Sequence, residues 1–143
     1  STLEGDSQNP YTQVRERKKT LIVCITSNRG LCGAFNANII KKTRQLIAND
    51  FMGQEVGLIT IGKKGSESLL KTGKISAVHD SVFDDLTYEN VGKIAQDIMD
   101  QFADGAIDEV VLVYNRFKNA ATQIVQVEPY LPIVSDIING YRP

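Results

Sequence analysis

The stretch TLIVCITSNRGLCGAFNANII, Thr20 to Ile40, decides the fold. Its first eight residues, Thr20 to Ser27, are mostly apolar and β-branched, the pattern of a strand covered on both faces. The glycine loop from Asn28 to Gly33 follows. From Ala34, apolar Phe35, Ile39, Ile40, Leu46 and Ile47 recur at helical spacing. Asn38, Lys41, Lys42, Arg44 and Gln45 fall between them, so an amphipathic helix is expected, ending near Asn49.

The alternation continues downstream. Glu55–Gly62 is a second apolar strand. A short helix around Gly65–Lys71 closes on the stop signal Thr72-Gly73, and Ile75–Asp80 is a third, shorter strand. Thr87 is placed to cap the next helix, whose apolar stripe is Val91, Ile94, Ala95, Ile98, Met99 and Phe102. Ala103, Asp104 and Gly105 stop it. Asp108–Phe117 is a fourth strand, Lys118 and Asn119 supply a polar turn, and a fifth strand lies within Ala120–Pro132. So short a connection holds no crossover helix, and the last two strands are expected to form an antiparallel hairpin.

The expected fold is therefore α/β. It has a mainly parallel five-stranded sheet with helices on both faces, Rossmann-like but without a dinucleotide site, and one antiparallel edge. Residues 1–19 are expected to be an irregular lead-in that becomes strand-like near Thr20. Residues 20–132 are expected to form a single α/β domain, and 133–143 a C-terminal tail.

Composition narrows the function. The 143 residues are 42% hydrophobic and 23% charged with a formal charge of -1, so net charge implies no nucleic-acid partner. No apolar run approaches the length of a membrane span and no secretory signal opens the chain. Membrane association is therefore expected only through partners. Cys24 and Cys32 stand eight residues apart, outside any CxxC or Cys/His metal pattern, and are expected as free thiols in a reducing compartment. His79 is alone, which excludes a histidine pair.

The loop Gly30-Leu31-Cys32-Gly33 lacks the three-glycine spacing of a dinucleotide fingerprint and the Gly-Lys-Ser/Thr ending of a P-loop. Its glycines let the chain turn sharply from strand to helix, and a helix N-terminus alone still attracts anions. Cys32 beside that terminus has no base in the sequence to make it a nucleophile. A phospho-acceptor receiver domain needs paired acids where this chain has Ser27-Asn28. Asp80, Asp84 and Asp85 suit the positive end of the following helix better than a metal. The pairs Lys18-Lys19, Lys41-Lys42 and Lys63-Lys64 lack interleaved aromatics, which leaves them as solvated surface or contacts for an acidic partner. No catalytic, cofactor-binding or metal-ligating residue is expected.

The chain resembles the central-stalk γ subunits of F-type ATP synthases. ITSNRGLCGAFNANI, Ile25 to Ile39, is similar to that family's Ser-Asp-Arg-Gly-Leu-Cys-Gly signature. NPY (Asn9 to Tyr11) and RERKK (Arg15 to Lys19) stand where the family leaves its first long helix. VYNRFKNAATQ (Val113 to Gln123) and EPYLP (Glu128 to Pro132) resemble its late hairpin and the segment after it. Asn28 replaces the usual acid, and Ala34-Phe35 stands where glycine and an aliphatic residue are common. Members are longer, with two terminal helices wound into a coiled coil. Neither terminus here carries an extended heptad pattern, and Ser135–Pro143 is too short for the last helix, so the chain is expected to be the globular central part.

The resemblance implies a non-catalytic rotor subunit that couples proton-driven rotation to ATP synthesis or hydrolysis. The implied partners are the α and β subunits, an ε-type subunit and the membrane c-ring. The implied location is peripheral, on the cytoplasmic face of a bacterial membrane or the matrix or stromal face of an organelle membrane. Asn28, Arg29, Gly30, Leu31, Cys32, Gly33 and Asn36 are the expected subunit-interface residues. A flavodoxin-like small-molecule or nucleotide-binding enzyme is the alternative, and an unrelated scaffold domain a third reading. The enzyme predicts a deep pocket at the carboxyl ends of the parallel strands, and the rotor a shallow, polar surface there.

Overall fold

The computed structural model of the chain describes residues 9–27, 33–82, 87–119 and 122–133. Five strands, β1 (Lys19–Ile25), β2 (Glu55–Ile61), β3 (Ile75–His79), β4 (Glu109–Asn119) and β5 (Thr122–Leu131), form one sheet in the order β3-β2-β1-β4-β5. β1 pairs in parallel with both β2 and β4, β2 in parallel with β3, and β4 antiparallel with β5. The expected mainly parallel sheet with a terminal hairpin is what forms.

Three α-helices cover it: α1 (Gly33–Gln45), α2 (Lys63–Leu69) and α3 (Tyr88–Ala103). The chain adds β2 and then β3 on one side of β1, and α3 carries it back to β4 on the other. Right-handed crossovers put helices on opposite faces when the direction of winding reverses. Accordingly, Ile39, Ile40 and Leu46 from α1 and its extension, with Leu69 from α2, pack against Ile22, Cys24 and Leu58. Ile98 and Phe102 from α3 pack against Leu21, Val23 and Ile59 on the opposite face. Alternate residues of β1 thus feed two cores, which is why its sequence shows no polar face.

Local chemistry sets most boundaries. The Thr87 hydroxyl accepts a 3.0 Å bond from the Asn90 N–H and caps α3. Gly73 and Gly105 take φ of +69° and +84° just beyond their helices. Three boundaries depart from expectation. α1 does not stay α-helical to Asn49 but continues as a π turn over Leu46–Asp50, with the Phe51 N–H reaching the Leu46 carbonyl at 2.8 Å. α2 begins at Lys63 rather than Gly65, because Gly62 turns the chain directly out of β2 without a side-chain cap. Lys118 and Asn119 lie in β4 rather than in the turn. Pairing of Asn119 with Thr122 extends the ladder past a register irregularity, so cross-strand bonding overrides polar turn preference.

The lead-in before β1 is tied down over its described part. The Arg15 guanidinium lies 4.4 Å over the Phe102 ring and donates to the Phe102 carbonyl at 2.9 Å and to the Ile107 carbonyl. It also meets the Asp108 carboxylate at 3.4 Å. The Ile133 N–H donates to the Tyr11 carbonyl at 2.7 Å, so chain entry and exit run side by side. No local pattern in the sequence signals these contacts, since each joins residues about ninety or more positions apart.

Candidate functional site

The strand order reverses at β1, so the loop leaving β1 lies at the topological switch point of the sheet. Asn28, Arg29, Gly30, Leu31 and Cys32 fall outside the described residues, whereas both flanks of the loop are inside.

The flank from β1 is held from two sides. Buried Thr26 donates its N–H to the Ile61 carbonyl at 2.8 Å, and its hydroxyl accepts from the Gly65 N–H at 2.8 Å. Gly62, with φ of +104°, packs so closely that a Cβ there would lie 2.1 Å from the Thr26 carbonyl oxygen. The end of β1 is thereby fixed to the end of β2 and the first turn of α2. Ser27 is held by α1. Its N–H donates to Asn36 Oδ1 at 3.1 Å, and Asn36 Nδ2 donates to the Ser27 hydroxyl at 3.0 Å.

Gly33 opens α1, and Asn36 sits in its first turn, 4% exposed. Its amide bonds Ser27 in both directions and holds the loop base from within. Sequence singles out Asn36 as an interface residue, and the two-way bond to Ser27 adds a structural part that it does not signal. Thr26, Gly62 and Gly65 complete the clamp. Glycines at the end of a strand and start of a helix are the one sequence signal for them.

At the same end of the sheet, on the α3 face, lies a cleft of about 280 Å³. Ile25, Ile61 and Leu112 form its floor, with Val91, Ile94 and Ile98 on the helix side. This surface is apolar, not the shallow polar one expected of a rotor domain, because the residues that face α3 at the strand ends are aliphatic. Val91, expected in the buried stripe, is 44% exposed at its margin. Among the described residues that line it, the cleft offers no cation or hydroxyl pair to hold a phosphate. Among the described residues no group of three His, Cys, Asp or Glu is arranged to hold a metal.

Two groups have displaced titrations. Burial pushes the Cys24 thiol up to about 11, against a smaller opposing contact with the Thr43 hydroxyl. That thiol is free, buried and inert rather than nucleophilic. Burial also acts to raise the Asp108 carboxyl. The backbone N–H groups of Lys18 and Lys19 and the Arg15 guanidinium outweigh it, and the net shift is downward. Asp80 accepts from the Ser66 hydroxyl at 2.8 Å, while Asp84 and Asp85 lie outside the described residues.

Across residues 1–140 the sequence matches the family described as ATP synthase. The chain belongs to that ATP synthase family. It is 50% identical to the ATP synthase gamma chain of Flavobacterium johnsoniae over 133 residues, 93% of this chain and 46% of that one. The gamma chain of Flavobacterium psychrophilum is 51% identical over the same shares. The chain thus spans about half the length of the curated relatives it matches. Its fold is similar to the central stalk and c-ring structure of Tetrahymena thermophila mitochondrial ATP synthase. That match has a TM-score of 0.71 and 28% identity, and covers 92% of this chain and 59% of that one. The rotor of Euglena gracilis mitochondrial ATP synthase, at TM-score 0.66 and 22% identity, shares the fold over 93% of this chain and 46% of that one.

Proposed function

We propose that this chain forms the globular part of an ATP synthase rotor, coupling proton-driven rotation to ATP synthesis or hydrolysis in the α/β hexamer. On this proposal it catalyses nothing itself. It meets an ε-type subunit and the c-ring, and reaches the membrane only through such partners. That places it on the cytoplasmic face of a bacterial membrane, or on the matrix or stromal face of an organelle membrane. The observation that carries the proposal is the 50% identity to a gamma chain across 93% of this sequence. No helix among the described residues is long and apolar enough to cross a membrane, which suits attachment through partners.

Within this proposal Asn28, Arg29, Gly30, Leu31, Cys32, Gly33 and Asn36 are the subunit-interface residues, with the Asn36–Ser27 bonds at their base. Arg29 supplies a guanidinium whose fork suits a carboxylate or carbonyl of another subunit. The test compares Arg29→Ala with wild type in the full-length chain. Unfolding should shift by no more than about 0.5 kcal/mol, whereas proton pumping per ATP hydrolysed by the reconstituted complex should fall. Strong destabilisation with normal pumping refutes the interface role. Failure of the full-length chain to co-purify with α, β and ring subunits refutes the rotor assignment.

A further inference from the structure

A second concavity on the described surface shares Asn36 with the loop clamp. It is a groove of about 910 Å³ between α1 and α2 on the outer side of the sheet. Its α1 wall repeats at helical spacing, with Ala37, Ile40, Lys41, Arg44 and Ala48 on one face. The opposite wall carries Lys64, Glu67 and Ser68 from α2, and Lys71 from the 3-10 turn that follows it (Leu70–Thr72). From Ala37 to Ala48 the trough runs roughly 16 Å at 1.5 Å per residue.

Its chemistry is one-sided. Lys41, Arg44, Lys64 and Lys71 face the single carboxylate of Glu67, in a chain whose formal charge is -1. Glu67 is itself 3.9 Å from Lys63. Arg44 serves as a brace, donating to the Ser68 carbonyl at 2.7 Å across the groove. Lys41, Lys64 and Lys71 make no ion pair among the described residues. Ala37, Ile40 and Ala48 make up the apolar part of the lining, beside the neutral polar Asn36, Gln45 and Asn49.

We infer that this groove docks an acidic amphipathic helix of a partner protein in the synthase, an inference that rests on the rotor proposal above. A trough between two packed helices is the shape a third helix fills, and the small Ala37 and Ala48 allow close approach. Apolar positions of the incoming helix meet Ile40 and the alanines, and its carboxylates meet the three lysines. A bilayer is a poorer fit, because the cations line a concave trough rather than a plane. Single-stranded nucleic acid is poorer still, since no aromatic residue lines the groove for bases to stack on.

The experiment places a photo-crosslinking amino acid at Ser68 in the full-length chain, within the assembled synthase. Crosslinked peptides are then identified by mass spectrometry. The expected adduct is one protein segment with Asp or Glu at helical spacing. It should fall about tenfold or more in the variant Lys41→Glu/Lys64→Glu/Lys71→Glu, and also at about 0.5 M salt, where exposed charges are screened. A Lys→Gln triple variant melting like wild type shows a smaller loss from the same cause and guards against misfolding. Adducts to phospholipid, to nucleic acid or to a segment without acidic residues overturn the inference. So does no adduct from a chain that has assembled, and the rotor proposal then stands. A chain that never enters the complex removes both.

Discussion

Replacing Gly62 by alanine tests the clamp under the signature loop. With φ of +104° and ψ of 138°, this residue occupies backbone space that side chains rarely adopt, at a cost of about 1–3 kcal/mol. The added Cβ would also lie 2.1 Å from the Thr26 carbonyl oxygen, 2.6 Å from its carbon and 2.8 Å from its hydroxyl. Two of those atoms are backbone, so no rotamer change relieves the clash and the ends of β1 and β2 must separate. That puts at risk the Thr26–Ile61 and Gly65–Thr26 hydrogen bonds, each worth about 0.5–1.5 kcal/mol. The expected destabilisation of Gly62→Ala is about 2–6 kcal/mol, a large share of a typical domain's stability. Gly73→Ala is the control. Its φ is +69°, nothing lies within 4 Å of its Cβ position, and it should cost only about 1–2 kcal/mol. Urea unfolding followed by circular dichroism measures both. Equal losses would show that the close approach to Thr26 contributes nothing and that the clamp is only apparent.

Ile98, 3% exposed between α3 and the sheet, should cost about 2–5 kcal/mol on truncation to alanine; a shift within error in the same assay would mean the helix is not seated there. Thr60 is fully buried, and its hydroxyl has no partner among the described residues. Thr60→Val should therefore raise stability by about 1 kcal/mol, and a loss of that size would reveal a hidden acceptor or donor. Asp108 titrates below its ordinary value, so its stabilising effect is complete above about pH 4 and fades as pH falls through the lowered pKa. Asp108→Asn should accordingly be less stable than wild type at neutral pH, with the gap closing in acid; a gap independent of pH contradicts this. Cys24 should resist alkylation in the native protein at pH 8 and react only on unfolding, as mass spectrometry of labelled protein would record.

Features written in a few adjacent residues are legible in the sequence itself. Thr87 caps its helix, Gly73 and Gly105 end theirs, and the short link after β4 forces a hairpin, because each depends on local backbone chemistry. The two-faced burial of β1 is legible from its unbroken apolar run. Partners distant in sequence are not. Arg15 in a charged run looks solvated until α3 and β4 bring Phe102 and Asp108 beneath it. Asn36 stands out for its place after the signature loop, but its inward bond to Ser27 depends on the angle at which α1 leaves the sheet. Val91 keeps the period of its stripe yet stays exposed, since periodicity fixes a face and not how closely the helix end approaches the sheet.

The position of β1 has a mechanical consequence. It is flanked in parallel by β2 along all seven of its residues and by β4 along five. A tensile load entering from the lead-in cannot peel β1 away one bond at a time. It must shear both ladders together, and only after Arg15 has been pulled off Phe102 and Asp108. Pulled through that end, the protein should yield abruptly at high force, as a stiff coupling does, while traction on the edge strand β5 should unzip its single ladder at much lower force.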